Sequence, residues 1–165
     1  MADYFEPFPG TRGDELGNFA KYRTQPHRGN DWSGNEGKLI PAITTGRVKQ
    51  IFKTAALGNC LIQSTGDGLF ILYAHMAKPS SRNKGDMVIG GQTVIGIVGN
   101  TGTATTGAHL HTGLSTNANP HLAAVGSLRD LFDHIDANSP ATLPKKQATP
   151  LPKKQATPAK PKAKK

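Results

Sequence analysis

Short apolar segments separated by turn-forming residues run through the central part of the chain. The four segments cover residues 48–52, 60–62, 69–73 and 92–98. The turn formers between them are Gly58-Asn59, Gly66-Asp67-Gly68 and Gly90-Gly91. Short strands at such spacing, rich in β-branched and aromatic residues, are typical of antiparallel β proteins. We therefore predict a mainly β fold, with an antiparallel sheet folded into a sandwich.

A helical pattern follows the predicted strands. The apolar residues at helical spacing are Leu128, Leu131, Phe132 and Ile135. They predict a single short helix over residues 126–136 that packs on the sheet by its apolar face. Ser127 stands where an N-cap is favoured, with Asp130 three residues later. The first 26 residues are rich in proline and glycine, and they predict an irregular lead-in.

The composition changes sharply after residue 138. An eight-residue sequence containing proline and lysine begins at Leu143 and repeats without change from Leu151. Proline and lysine at this density cannot bury enough apolar surface to offset the entropy of ordering the chain. We therefore predict one folded domain over residues 1–138, including the lead-in, and a disordered tail over residues 139–165.

The net charge of +9 belongs to the tail. Of the 20 Lys and Arg residues, eight lie after Pro144, which leaves twelve basic against 11 acidic residues in the rest of the chain. The predicted domain therefore lacks the basic surface of a nucleic-acid binder. The tail is either a solubilising extension or an element that adheres to a polyanion, such as an anionic wall polymer or a membrane surface.

Cysteine content and the first residues suggest where the protein is made. Cys60 is the single cysteine, so no intramolecular disulfide is expected, and its apolar neighbours predict a buried thiol. The start of the chain shows no basic segment followed by an apolar one, and no apolar run approaches the roughly 20 residues of a membrane span. We expect synthesis in the cytoplasm without a signal peptide.

Histidines carry the strongest chemical signal. Four of the six lie in three short clusters, which are residues 27–31, 73–75 and 107–111, and the first cluster also contains Asp31. Imidazole and carboxylate groups are usual ligands of a catalytic zinc, which keeps one coordination position for water. His109 and His111 are two residues apart on a predicted strand, so they share one face while Leu110 points to the other. The helical motif His-Glu-x-x-His is absent, so a different zinc architecture is predicted.

The order of these clusters resembles that of a known family. Three motifs follow one another along the chain, namely His27-x-x-x-Asp31, Tyr73-Ala74-His75 and Gly107-x-His109-x-His111. A glycine-rich segment over residues 96–102 precedes the third motif. The chain thus resembles the lysostaphin-type (LytM-type) zinc endopeptidases, which cut peptidoglycan cross-links, over about residues 19–120. One departure is Thr112-Gly113-Leu114, which stands where family members often have an aromatic residue and a glutamate, and it puts the shape of one groove wall in doubt.

The resemblance implies a role for each residue. His27, Asp31 and His111 would ligate zinc, and His75 and His109 would be catalytic histidines that do not bind the metal. We assign His109 as the general base and His75 as the stabiliser of the tetrahedral intermediate, although the two roles can be exchanged.

Four further residues receive expectations of their own. Tyr73 is placed as in the family, and it either contacts substrate or packs at the edge of the core. Trp32 is expected to pack the ligand loop rather than line the groove, and His121 and His134 are expected on the surface.

The predicted function is zinc-dependent hydrolysis of peptide bonds in the cross-links or stems of bacterial peptidoglycan. We expect a phage endolysin that acts as a monomer and reaches the wall through holin pores. The alternatives are a virion-associated tail lysin and a non-catalytic wall-binding or regulatory module of the same fold. The sequence leaves open which bond and which wall chemotype are involved.

Overall fold

The computed structural model describes residues 2–18 and 24–140, and within them it contains nine strands and one α-helix. The strands are β1 (Asn30–Ser33), β2 (Leu39–Pro41), β3 (Gly46–Thr54), β4 (Gly58–Thr65), β5 (Phe70–Met76), β6 (Met87–Val88), β7 (Val94–Ile97), β8 (His109–Ser115) and β9 (Leu128–Arg129). The helix α1 covers Leu131–Asn138. The repeat-containing tail from residue 141 onward, which the sequence predicts to be disordered, lies outside the described residues.

The main sheet is antiparallel and follows the order β1-β8-β5-β4-β3-β6, with β9 paired to β8. β2 and β7 form a separate two-stranded sheet. β8 therefore lies between β1 and β5, and all three strands contribute residues to the site described below. The prediction of a mainly β, antiparallel fold with one short C-terminal helix is confirmed.

The main core lies on one face of the large sheet. Its largest fully buried members on the sheet include Trp32, Leu61, Ile71, Tyr73 and Leu110. The covering layer consists of α1, the two-stranded sheet and the lead-in, which contribute buried side chains of Phe132, Ile135, Ile40, Ile95 and Tyr4. The core thus forms between one sheet and a mixed layer, and the opposite face of the sheet carries the site and a second, smaller apolar cluster of Cys60, Ile62, Leu72 and Ala74.

Trp32 and Cys60 are buried as expected. The Trp32 side chain is fully buried, meets the edge of Phe132 at a ring-centroid distance of 5.0 Å, and donates its indole hydrogen to the carboxylate of Glu6. The packing role predicted for Trp32 is confirmed. The Cys60 thiol is also fully buried, and this burial raises its pKa to about 12. A thiol with such a pKa is un-ionised and chemically inert at neutral pH.

The predicted start of the helix is wrong. The helix begins at Leu131 rather than at residue 126, and Asp130 caps it by accepting hydrogen bonds from the backbone nitrogens of Phe132 and Asp133. Leu128 and Arg129 pair instead with Ser115 and Leu114 of β8. The helical spacing of Leu128 is therefore overridden by strand pairing, a tertiary effect that local propensity does not register.

In the described part of the chain no helix is long and apolar enough to cross a bilayer.

Candidate active site

Asp31 and His111 face each other across the β1–β8 pair. They are direct cross-strand partners, and Nδ1 of His111 lies 2.8 Å from Oδ1 of Asp31. His27 joins them from the loop before β1, with its Nε2 3.2 Å from Oδ1 of Asp31 and 3.1 Å from Nδ1 of His111. One ligand atom from each of the three residues therefore lies within 4.8 Å of the other two. All three side chains are buried.

Backbone contacts orient the His27 ring. Its Nδ1 lies 2.9 Å from the carbonyl oxygen of Glu15, and because a carbonyl only accepts, Nδ1 carries the proton. Nε2 is then left with its lone pair directed at Asp31 and His111. The turn after His27 also passes very close to β8, since a Cβ at residue 29 would collide with the carbonyl of Thr112. Only glycine allows this approach, which brings His27 within reach of the other two residues.

The electrostatics of the triad favour the forms that bind metal. Burial by itself would raise the pKa of Asp31, but its close contacts with the imidazoles of His111 and His27 outweigh burial and hold the pKa well below its usual range. Burial lowers the pKa of His111, against the attraction of Asp31. A carboxylate and a neutral imidazole are the protonation states that metal coordination needs.

His75 reaches the same site because β5 contains a bulge. Between two pairs of the β4–β5 ladder, Leu61–Tyr73 and Asn59–Met76, β5 has one residue more than β4. His75 has a φ of 58°, which a non-glycine residue rarely adopts. Strict alternation from the core residue Tyr73 would send His75 into the core. The bulge instead turns it toward the triad, with its ring centroid 5.8 Å from that of His111.

The His75 ring is buried and held in one orientation. Its Nδ1 donates to the carbonyl oxygen of Thr101 at 2.8 Å, which leaves Nε2 with a lone pair. Burial lowers the pKa of His75 to about 4, with the nearby His111 and His109 acting in the same direction and the Thr101 hydrogen bond opposing it. His75 is therefore neutral near pH 7.

His109 completes the group from β8. Its Nδ1 donates to the carbonyl oxygen of Gly107 at 2.8 Å, and the hydroxyl of Thr105 lies 3.3 Å from the same nitrogen. Its Nε2 lies 3.8 Å from Oδ1 of Asp31, and its ring centroid is 4.8 Å from that of His75. The His109 side chain is 17% exposed to solvent, whereas His75 is 2% exposed, so His109 is the more accessible of the two.

These five residues line one groove with a volume of about 710 Å³. Most of its other lining residues come from the lead-in, from the loop before β1, and from residues 103–108, which are small and uncharged, and Ser33 of β1 and Leu57 of the β3–β4 turn complete the lining. The structure therefore brings His27, Asp31, His75, His109 and His111 together from segments that are far apart in the sequence. The carbonyl groups of Glu15, Thr101 and Gly107 orient three of these rings, and a sequence carries no signal for such backbone contacts.

Tyr73 does not reach the groove, and its prediction as a substrate-binding residue is corrected. Its side chain is fully buried in the main core, where the hydroxyl donates to Oε1 of Gln63 at 2.7 Å and accepts from the backbone nitrogen of Ile43 at 3.0 Å. The physical reason is the bulge at His75. Strict alternation would place Tyr73 and His75 on the same face of β5, but the bulge makes them point to opposite faces. Tyr73 therefore takes its other predicted role, as a residue of the core.

The two remaining histidines lie outside the groove. His121 stacks on Phe52 with a centroid distance of 4.8 Å, and it is half-buried. His134 is also half-buried rather than surface-exposed, because its ring meets the edge of Tyr4 at 4.4 Å. The expectation that His134 faces solvent is therefore wrong.

A model of the peptidase family M23 matches residues 25–122, more than half of the chain, and this span contains all five groove residues named above. The chain belongs to peptidase family M23. The resemblance to lysostaphin-type endopeptidases drawn from the three clusters is thereby confirmed.

Several solved structures resemble this chain. The catalytic domain of the antimicrobial peptidase lysostaphin from Staphylococcus simulans is 26% identical, with a TM-score of 0.65 over 76% of this chain and 91% of that one. A point variant of the catalytic domain of the prophage-encoded M23 protein EnpA from Enterococcus faecalis is 30% identical, with a TM-score of 0.58 over 69% and 85% of the two chains. A zinc-containing peptidase from Vibrio cholerae, 23% identical, shares the fold with a TM-score of 0.62 over 85% and 41%.

M23 peptidases are zinc-dependent, and the groove of this M23 chain fits that metal. Two imidazole nitrogens and one carboxylate oxygen form a donor set that zinc commonly takes in catalytic sites, where a fourth position stays available. The Glu15 carbonyl fixes the proton of His27 on the nitrogen that faces away from the other donors. Such an outer hydrogen bond is the usual support of a metal-binding histidine. This M23 chain is therefore a zinc metallopeptidase.

The residues that depart from the common M23 pattern lie on the strand that carries the site. Thr112 is fully buried and its hydroxyl donates to the carbonyl oxygen of Asn30 at 3.0 Å, while Leu114 belongs to the core. A Cβ at residue 113 would lie 3.5 Å from the carbonyl of Arg28 and 3.6 Å from Pro120. Thr112 and Leu114 thus hold β8 to its neighbours, a side chain at residue 113 would make only ordinary contacts, and none of the three residues belongs to the described lining of the groove.

Proposed function

We propose that this protein is an endopeptidase that hydrolyses peptide bonds in the cross-links or stems of bacterial peptidoglycan. The proposal depends on the convergence of five residues on one groove. Three of them have donor atoms for a metal, and the other two are histidines whose Nδ1 donates to a backbone carbonyl. The likeness to the catalytic domain of lysostaphin, an antimicrobial peptidase, supports a wall substrate.

We assign the ligand role to His27, Asp31 and His111. A zinc ion at these atoms would polarise the scissile carbonyl and lower the pKa of a water molecule toward 7. The low pKa of Asp31 and the neutral form of His111 keep both side chains able to coordinate at neutral pH. His27 depends on Glu15 for its orientation, so the lead-in contributes to the metal site through its backbone.

His109 is the better general base of the two remaining histidines. Its Nδ1 proton is committed to Gly107, so Nε2 can accept a proton from the attacking water. His75 is buried and its pKa of about 4 makes it a weak base at neutral pH. These differences support the assignment of the base to His109.

The role of His75 follows from its tautomer. To stabilise an oxyanion, a neutral imidazole must donate from Nε2, yet the bond to the Thr101 carbonyl places the proton on Nδ1. In this form His75 accepts a hydrogen bond at Nε2, and we propose that it orients the attacking water toward the scissile carbonyl. The role of stabiliser that the family resemblance suggests requires His75 to be protonated first.

Digestion of purified peptidoglycans of several chemotypes, with and without a zinc chelator, tests the function. We expect new amino termini, detected by mass spectrometry, that disappear with the chelator and return when zinc is added. The position of the new termini identifies the bond. The His109→Ala variant serves as the matched control for contaminating hydrolases. Absence of release from every wall would reject the proposal and favour a non-catalytic wall-binding module of the same fold.

We further propose that the protein is a phage lysis enzyme, which acts on the cell wall after release from the host cytoplasm. The likeness to the prophage-encoded EnpA, at 30% identity, supports a phage setting. An endolysin is expected in lysates and absent from purified virions, whereas a virion-associated lysin remains with the particle. Immunodetection in both fractions separates these two roles, and holin-dependent release is expected only for the first.

A further inference from the structure

Thr101 contacts both sides of the bulge that carries His75. Its carbonyl oxygen accepts from Nδ1 of His75 at 2.8 Å, and its backbone nitrogen donates to the carbonyl oxygen of His75 at 3.4 Å. Its hydroxyl donates to the carbonyl oxygen of Met76 at 2.8 Å and accepts from the backbone nitrogen of Asn59 at 3.0 Å. One threonine thus joins β4 and β5 at the point where their ladder is interrupted.

Two glycines let Thr101 come this close. A Cβ at residue 58 would collide with the carbonyl and hydroxyl of Thr101, and a Cβ at residue 102 would collide with the carbonyl of Ala56. Both glycines have a positive φ, 65° at Gly58 and 93° at Gly102. The segment around Thr101 is therefore packed directly on the backbone of the β3–β4 turn, with no side chain between them.

The bulge needs such support. A non-glycine residue with a positive φ is strained and persists only where its surroundings hold it. The Thr101 hydroxyl accepts from the backbone nitrogen of Asn59 in β4, and it donates to the carbonyl of Met76 in β5, which also accepts from the side-chain amide of Asn59 at 3.0 Å. The Thr101 carbonyl at the same time selects which nitrogen of His75 carries the proton.

We propose that Thr101 is a positioning residue, whose hydroxyl holds the β5 bulge so that His75 presents an unprotonated Nε2 to the groove in a single tautomer. This inference rests on the proposed function, in which His75 orients the attacking water. Thr101 is absent from the described lining of the groove, and its carbonyl contacts the ring of His75, so we expect its effect to reach the substrate through His75.

The test begins with the wild-type, zinc-loaded protein. We expect ¹⁵N NMR of the imidazole groups to show His75 protonated at Nδ1 alone.

The Thr101→Val variant removes the hydroxyl at nearly constant side-chain volume. We expect this variant to show mixed His75 tautomers and a kcat about 10- to 100-fold lower on a cross-bridge peptide, with KM and zinc content unchanged. Thr101→Ser restores the hydroxyl and is expected to recover most of the kcat. Thr93→Val, which removes a threonine hydroxyl bonded to Ile89 outside the groove, is the matched control.

Three results would overturn the proposal. They are a wild-type His75 protonated at Nε2, a wild-type kcat in Thr101→Val, and an equal loss of kcat in Thr101→Val and Thr101→Ser. If Thr101→Val does not fold, the wild-type spectrum decides, because the tautomer is observed without any variant. The spectrum also separates this inference from the proposed function, since a protein that cuts no peptidoglycan can still show the expected His75 tautomer.

Discussion

Oδ1 of Asp31 and Nδ1 of His111 lie 2.8 Å apart, although 80 residues separate them along the chain. Their contact is set by the register of β1 on β8, in which they are direct partners. The next pair in that register, Trp32 with Leu110, points to the opposite face and is fully buried in the core. Packing of this pair therefore holds the ligand pair in place, because a slip of one residue would exchange the two faces.

The His111→Ala variant should lose both zinc and activity. It removes one of three donors and the imidazole that lies 2.8 Å from the Asp31 carboxylate. We expect the zinc-to-protein ratio, measured by inductively coupled plasma mass spectrometry, to fall toward zero. His121→Ala, which changes a histidine outside the groove, should keep its zinc. Full zinc occupancy in His111→Ala would refute the ligand assignment.

The His109→Ala variant should keep the metal and lose turnover. His109 contributes no atom to the donor triad, and a general base typically contributes about 10²- to 10⁴-fold to the rate. We expect kcat to fall by a factor in that range, with an unchanged zinc-to-protein ratio. A wild-type kcat in this variant would show that another group accepts the proton.

The Cys60 thiol should resist modification in the folded protein. Its pKa is raised to about 12 by burial, so the thiolate is scarce at about pH 8, where an ordinary cysteine with a pKa of about 8.5 is partly ionised. We expect no reaction with a disulfide reagent such as DTNB until guanidinium chloride unfolds the chain. Rapid stoichiometric labelling of the native protein would contradict the structure at this position.

Asn30→Ala should destabilise the fold without changing the chemistry of the groove. The fully buried Asn30 side chain accepts from the backbone nitrogen of Leu131 at 2.8 Å and donates to Asp130 at 3.0 Å, so it ties the start of α1 to β1. We expect the free energy of unfolding to fall by about 1–3 kcal/mol, because a buried donor loses its partner. Denaturant unfolding measures this, with the exposed Asn83→Ala as the control. If the two variants have the same free energy of unfolding, Asn30 does not stabilise the fold by tying α1 to β1.

Deletion of residues 143–165 should weaken wall binding at low salt. The deletion removes eight lysines and leaves the described residues intact, so circular dichroism and melting temperature should not change. Binding to purified walls should fall at low ionic strength and converge with that of the full chain at high salt, because screening suppresses such attraction. Replacing the eight lysines by glutamine separates charge from length. Equal binding of all forms at every salt concentration would identify the tail as a solubilising extension.

The chemistry of the groove was readable from residue types and their order. The five groove residues stand in three sequence clusters, and the pattern of these clusters identifies the M23 family. Side chains of a strand alternate between its two faces, which is enough to place His109 and His111 on the same face. The antiparallel β fold was also predictable, because alternating apolar segments and turn formers are local features. The fold class and the donor set depend on residues that are close in sequence and on the chemistry of individual side chains. Both can be read directly from the amino-acid sequence.

Tertiary structure alone decided where several of these side chains point. The extra residue in β5 sends His75 to the groove and leaves Tyr73 in the core, and pairing with β8 turns Leu128 and Arg129 into a strand so that α1 begins later. The carbonyls of Glu15, Thr101 and Gly107 choose the nitrogen that carries the proton in three histidines. Each of these outcomes is set by backbone atoms of distant segments, whose approach depends on the packing of the whole domain.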